Sequence, residues 1–111
     1  LIPGFDPFDP EVSDKYGYKK YANVVTSLQF ERILSASGPF EGVVTRPSDG
    51  GHPVKIAWIQ CVGSRDNSIG NDFCSSVCCM YALKEAMIAV PSDRKMKLEI
   101  PSIIIMALII Y

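Results

Sequence analysis

The sequence predicts an α/β fold built on one βαβ unit, and three observations carry that expectation. A short, nearly continuous apolar run, VKIAWIQ from Val54 to Gln60, has the pattern of a strand buried on both faces. A helix-like segment follows, starting at about Ser75 or Ser76 and extending to Ala89, where Pro91 and the SDRK residues stop it. Leu98 to Met106 then reads as the next strand, although Pro101 interrupts it. Strand, helix and strand within about fifty residues make one such unit. An upstream helix and loops complete the chain.

The totals set bounds on this expectation. With 111 residues there is material for one domain, and 48% hydrophobic and 21% charged residues describe a globular chain. Eleven basic and twelve acidic side chains leave a net charge of −1, so no global charge favours nucleic acid or an anionic membrane. Four cysteines are too few for a disulfide-stapled secreted scaffold, which points to a reducing, cytoplasmic setting. The chain opens on LIPGFDPFDP without an initiating Met and closes on the apolar SIIIMALIIY, as a segment cut from a longer sheet would. The nine residues from Ile103 to Tyr111 are short of the roughly 20 that span a bilayer, so a buried parallel strand is preferred to a truncated membrane helix.

Residues Leu1 to Tyr21 combine prolines, glycines and aspartates, a chemistry of turns and extended segments. The next element is a helix with legible ends. Thr26 followed by Gln29 matches a capping box, Val25 can staple against Phe30, and Phe30, Ile33 and Leu34 form the apolar face. Ser37, Gly38 and Pro39 predict a left-handed cap and a stop, which ends the helix at Ser35 or Ala36. Phe40 to His52 is a loop with room for a short strand at Gly42 to Thr45. His52, the sole histidine, sits beside a Gly-Gly turn and reads as a solvated loop residue with no catalytic role. With no second histidine and no serine in a nucleophile elbow, hydrolase chemistry has little support.

All four cysteines fall in CVGSRDNSIGNDFCSSVCC, from Cys61 to Cys79, where strand hands over to helix. In open α/β sheets ligands bind there, outside the carboxyl ends of the strands. Three readings compete: an iron-sulfur cluster held by four thiolates, a structural zinc site, and thiol redox chemistry. The paired C-x2-4-C hairpins of zinc ribbons, the C-x-x-C of thioredoxin-like sites and the C-x2-C-x2-C of ferredoxins are all absent. A disulfide between the adjacent Cys78 and Cys79 would be strained and close a minimal loop. Geometry favours a metal centre. Cys74 and Cys78 are four apart and share a face if both are helical, whereas Cys79 joins them only across a distorted or end-on helix start. An end-on site gains from the positive end of the helix dipole, and Arg65 either offsets cluster charge or pairs with Asp66 in a surface turn. The intervening loop, with two glycines, two asparagines and two aspartates, lets backbone curl around a compact ligand.

WIQCVGSRD at Trp58 to Asp66 and FCSSVCCMYALKEA at Phe73 to Ala86 closely resemble the A-subunit family of heterodisulfide reductase and its relatives in sulfate reducers. NVVTSLQFERILSASGP at Asn23 to Pro39 and GFDPFDP at Gly4 to Pro10 do so too, extending the resemblance over roughly residues 4 to 90. The resemblance implies a partial nucleotide-binding-type, thioredoxin-reductase-like parallel sheet and a 4Fe-4S cluster with Cys61, Cys74, Cys78 and Cys79 as its ligands. It implies FAD in the full-length family, with Gly4 and Asp6 as the cofactor-binding candidates of this chain. On that basis residues 1–22 are an extended connection from an FAD-binding half and residues 23–111 are a cluster-bearing segment. The expected function is electron transfer within a heterodisulfide-reductase-type oxidoreductase of methanogenesis, inactive alone. Its partners would be ferredoxin-like and disulfide-reducing subunits and a hydrogenase or other electron donor, with no nucleic acid and no membrane span. The Gly-rich FAD fingerprint is absent, Ile2 and Pro3 depart from the family before Gly4, and beyond about Glu99 the tail no longer resembles it. A structural zinc or cluster module without redox role is the alternative.

Overall fold

The computed structural model describes residues 7–89 and the strand at 103–108. Gly4, Asp6, the stop at Pro91 and the part of the expected third strand before Ile103 lie outside the described residues. Three strands, β1 (Val24–Thr26), β2 (Ile56–Val62) and β3 (Ile103–Leu108), form a parallel sheet in the order β1-β3-β2. Two α-helices, α1 (Ser27–Leu34) and α2 (Cys78–Ala89), accompany it, so the α/β class holds. β2, α2 and β3 form the expected βαβ unit, with β3 lying directly beside β2 and pairing Ile56 with Ile103 and Ile59 with Met106.

Before β1 the chain makes two single-turn 3-10 segments, Pro10–Val12 and Asp14–Tyr16, each opened by a side-chain cap from Asp9 or Ser13. This is the turn-rich entry expected of the Pro, Gly and Asp content. The strand β1 is an element that sequence reading passed over, because three residues show no alternation. All three are buried, and they feed directly into α1.

Helix α1 starts as predicted. Thr26 Oγ1 accepts from the Gln29 N–H at 3.2 Å and Gln29 Oε1 accepts from the Thr26 N–H at 2.9 Å, closing the capping box. Phe30 is fully buried, with Val25, Ile33 and Val44 around it and Leu34 and Trp58 against the cluster. Burying a side chain of that size is worth about 2–3 kcal/mol. The helix ends one residue earlier than expected and by a different device. Ser35 closes it in an extended conformation (φ −69°, ψ 128°), and Gly38 has no positive φ. Gly38 is needed for room instead: a Cβ there would collide with the Arg32 carbonyl oxygen.

No strand forms at Gly42 to Thr45, because Glu41 (φ 54°) and Gly42 (φ 82°) are left-handed and turn the chain. β2 is shifted two residues along from the predicted Val54–Gln60 and is half-buried over most of its length. Its two faces do meet separate apolar groups. Ile56 and Trp58 pack on the α1 side, while Ile59 and Val62 pack with Val24, Phe8, Tyr16 and Tyr18 on the other. Burial stays partial because β2 is an outer strand of the sheet among the described residues. No described helix is long and apolar enough to cross a membrane.

Candidate metal centre

The site begins at the end of β2. Pairing with β3 shifts register between Ile59 and Val62, and Cys61 in that irregularity adopts φ 58°, a left-handed conformation unusual for a side-chain-bearing residue. Gly63 follows at φ 77° with its α-carbon against the Phe8 ring, which a Cβ would overlap. The strand therefore stops abruptly, and the next residues turn out of the sheet.

The loop between the cysteines is braced by its own polar groups. Asp66 and Asn71 exchange backbone hydrogen bonds (2.7 and 3.1 Å), and Asp66 Oδ1 accepts from the N–H and hydroxyl of Ser68, which with Lys15 nearby hold its carboxyl below the usual range. The buried Asn71 donates from Nδ2 to the Gly63 carbonyl at 3.0 Å, and the Arg65 N–H bonds the Phe73 carbonyl at 3.0 Å. These bonds lead the two ends of the loop back toward each other and return the chain beside Gly63 and Arg65. Arg65 is exposed and left-handed (φ 53°), and the ion pair of Asp66 is with Lys15 at 3.7 Å, in place of the expected Arg65–Asp66 pair.

Cys74 precedes the helix and is exposed, and the Ser76 N–H donates to its Sγ at 3.4 Å. Ser76 itself has φ 65°, so the helix cannot extend back through it. Helix α2 therefore starts at Cys78, not at Ser75 or Ser76, and Cys74 does not share a helical face with Cys78. Instead Cys78 and Cys79 are the first two residues of α2, at its positive end. That is the end-on arrangement.

Electrostatics ties the four thiols together. Burial pushes the Cys78 thiol up, but the Ser75 hydroxyl, the Cys61 backbone N–H and Cys79 outweigh it, leaving Cys78 below the ordinary 9.0. The charge of Cys78 is the chief cause that raises Cys79, and Cys61 and Cys74 add to it. Cys79 thus feels all three of the others. None of the four is in a disulfide. Among the described residues no three candidate ligand side chains converge on a common point, so the arrangement is a set of neighbouring thiols and not a closed coordination shell. In the same stretch, among the described residues, the buried Ser64 Oγ has no hydrogen-bond partner and the Ser75 hydroxyl has none besides the Cys78 thiol. Thiolate donors from a strand end and a helix start, with backbone N–H and hydroxyl groups beside them, fit a four-thiolate centre chemically.

Sequence reading missed one feature of the surroundings. Glu85 is buried (2% exposed) on α2, where Trp58 Nε1 donates to its Oε2 at 2.9 Å. Burial, opposed by that bond and reinforced by Glu31, raises its carboxyl to about 7. The signal was a single acidic residue, beside Lys84, at helical spacing from Cys78, indistinguishable in sequence from a solvated face. His52, exposed, places Nδ1 3.0 Å from the Val44 carbonyl, as suits a loop residue.

No protein-family model matches the chain. Among curated proteins, the A-subunit of the H2:CoB-CoM heterodisulfide,ferredoxin reductase of Methanothermobacter thermautotrophicus is 51% identical over 88 residues, which are 79% of this chain and 13% of that protein. The second iron-sulfur A-subunit of the CoB–CoM heterodisulfide reductase of Methanopyrus kandleri is 55% identical over 85 residues, 77% of this chain and 13% of that protein. The A-subunit of the ferredoxin/F420H2-dependent CoB-CoM heterodisulfide reductase of Methanosarcina acetivorans is 49% identical over 83 residues, 75% of this chain and 10% of that protein. The chain therefore spans a small part of the length of the curated relatives it matches. At about half identity over that matched stretch, the chain belongs to the A-subunit family of heterodisulfide reductase.

Proposed function

We propose that this chain supplies an electron-transfer site of a heterodisulfide-reductase-type oxidoreductase, with Cys61, Cys74, Cys78 and Cys79 holding one 4Fe-4S cluster. The observation that carries this reading is the gathering of four free thiols, from one strand end, one loop and one helix start, with Cys79 within electrostatic reach of the other three. When bound, the cluster supplies one-electron relay. The chain's own residues do the rest. Cys61 and Cys78 provide the more enclosed donors, while Cys74 and Cys79 provide exposed ones. The Ser76 N–H already donates to Cys74 Sγ, and the positive end of α2 favours thiolate over thiol at Cys78. The Ser64 and Ser75 hydroxyls are available as donors to sulfur.

Three further parts of the proposal rest on the relatives. The parallel sheet is read as part of a nucleotide-binding-type fold with FAD nearby, where Gly4 and Asp6 are the candidate contacts. A relative named for its iron-sulfur character supports the cluster, and relatives named for ferredoxin and CoB-CoM heterodisulfide support partner subunits that deliver electrons and reduce a disulfide. A cytoplasmic setting suits free thiols.

The test is anaerobic reconstitution with iron and sulfide, followed by a visible spectrum and metal analysis of the wild type and Cys78→Ser. The expected result is a broad absorption at about 400 nm with about four irons per chain, lost in the variant. A colourless protein that takes up one zinc would move the site to a structural role, and a protein that binds no metal would overturn the reading.

A further inference from the structure

Helix α2 faces the wrong way for a helix docked by apolar burial. Its buried residues are Cys78, Ala82 and Glu85, spaced on one face, while Met80, Leu83 and Met87 are 69%, 63% and 75% exposed. A thiol, a methyl and a carboxyl offer little apolar surface to a sheet. Besides Ala89, which packs on the Phe30 cluster, what joins this face to β2 among the described residues is polar: the Trp58 Nε1–Glu85 Oε2 hydrogen bond of 2.9 Å. Trp58 stands three residues before Cys61 on β2, and Glu85 stands seven residues, about two turns, after Cys78 on α2. Trp58 and Cys79 also line one cavity of about 370 Å³ between the two elements. The bond thus ties together, about two helical turns from the thiols, the two elements that deliver three of them.

We propose that Trp58 and Glu85 form a positioning pair for the thiol site, their hydrogen bond setting the spacing between Cys61 on the strand and Cys78 and Cys79 on the helix. A buried carboxyl without a compensating cation costs stability, so a residue retained for packing alone would be apolar here. The groups facing Glu85 are Glu31 from α1 and Trp58 from β2, with Lys84 beside it on α2 and no ionisable residue in the sequence of β3. Among the described residues Glu85 Oε1 has no hydrogen-bond partner, so the Trp58 bond is the one that orients the carboxyl there. Removing groups that orient metal ligands weakens metal affinity by about 10–100-fold, and this pair would act on the ligands through the strand and helix that carry them.

The inference rests on the reading of the cysteines as a ligand set, and its test separates the two. Cobalt(II) is titrated anaerobically into the full chain, with affinity read from the sulfur-to-cobalt charge-transfer band in competition with a chelator. Glu85→Ala and Trp58→Phe should weaken cobalt binding by about tenfold or more. Glu85→Gln, which keeps an acceptor for the indole N–H, should stay within about threefold of wild type. Equal affinity in Glu85→Ala and wild type, or Glu85→Gln as weak as Glu85→Ala, overturns the positioning role while leaving the ligand set intact. No charge-transfer band in the wild type overturns the ligand set and the pair's role with it. If Glu85→Ala does not fold, Trp58→Phe against Glu85→Gln decides by the same criterion, because Phe retains a ring for the edge contact with Phe30.

Discussion

Glu85 and Gly63 show what single residues contribute around the thiols. The Glu85 carboxyl, raised from 4.5 to about 7 chiefly by burial, binds its proton more tightly in the folded than in the unfolded chain. Its contribution to stability is therefore full below about pH 4.5 and is lost as pH rises through about 7. Glu85→Gln cannot titrate, so the variant should gain on wild type between about pH 5 and about pH 8 in urea unfolding. Parallel curves for the two proteins would show that Glu85 has an ordinary pKa. Gly63 is constrained twice, by φ 77° and by the Phe8 ring that a Cβ would overlap. Gly63→Ala should cost about 2 kcal/mol or more, read as a lower unfolding midpoint, because backbone strain and a ring displacement add. Neither effect is visible in sequence. Glycine in a turn and glutamate on a helix are ordinary choices, and only the approach of Phe8 and Trp58 from distant positions makes them special.

Among the elements, α1 is the one whose boundaries were most legible. Thr26 and Gln29 interact three residues apart, so the local sequence contains the whole capping device. Thr26→Ala should cost about 1 kcal/mol by chemical denaturation, with Thr26→Ser close to neutral. A loss below a few tenths would mean that water replaces the cap at no cost. The end of α1 was legible in place but not in mechanism, since Gly38 serves close approach to the Arg32 carbonyl and not a left-handed turn. α2 was legible as a helix but not in its start. The Cys74–Cys78 spacing of four invites a shared face, yet a left-handed Ser76 between them breaks the helix. β1 was missed because its three residues are strand only by virtue of pairing with β3, about eighty positions away in sequence.

Across the molecule, the sheet's outer strands β1 and β2 and the exposed Met80, Leu83, Met87 and Ile88 of α2 leave an apolar surface on the described residues. Such surfaces promote self-association. Replacing Met80 and Met87 together by Lys should raise the concentration at which the chain associates in sedimentation velocity and alter its stability by no more than about 0.5 kcal/mol per site. Unchanged association would direct attention to the strand edges instead. The sequence by itself determined the α/β class, the βαβ unit, the capped start of α1, the location of all four cysteines at a strand-to-helix junction, and membership of the heterodisulfide reductase A-subunit family. These follow from short-range patterning and from motifs whose residues adjoin. Only the tertiary structure decided that β3 inserts between β1 and β2, that the helix presents Cys78 and Cys79 end-on with Cys74 outside it, and that Glu85 turns inward to Trp58. Each of these depends on contacts between residues far apart in the chain, where packing and hydrogen-bond satisfaction override local preference.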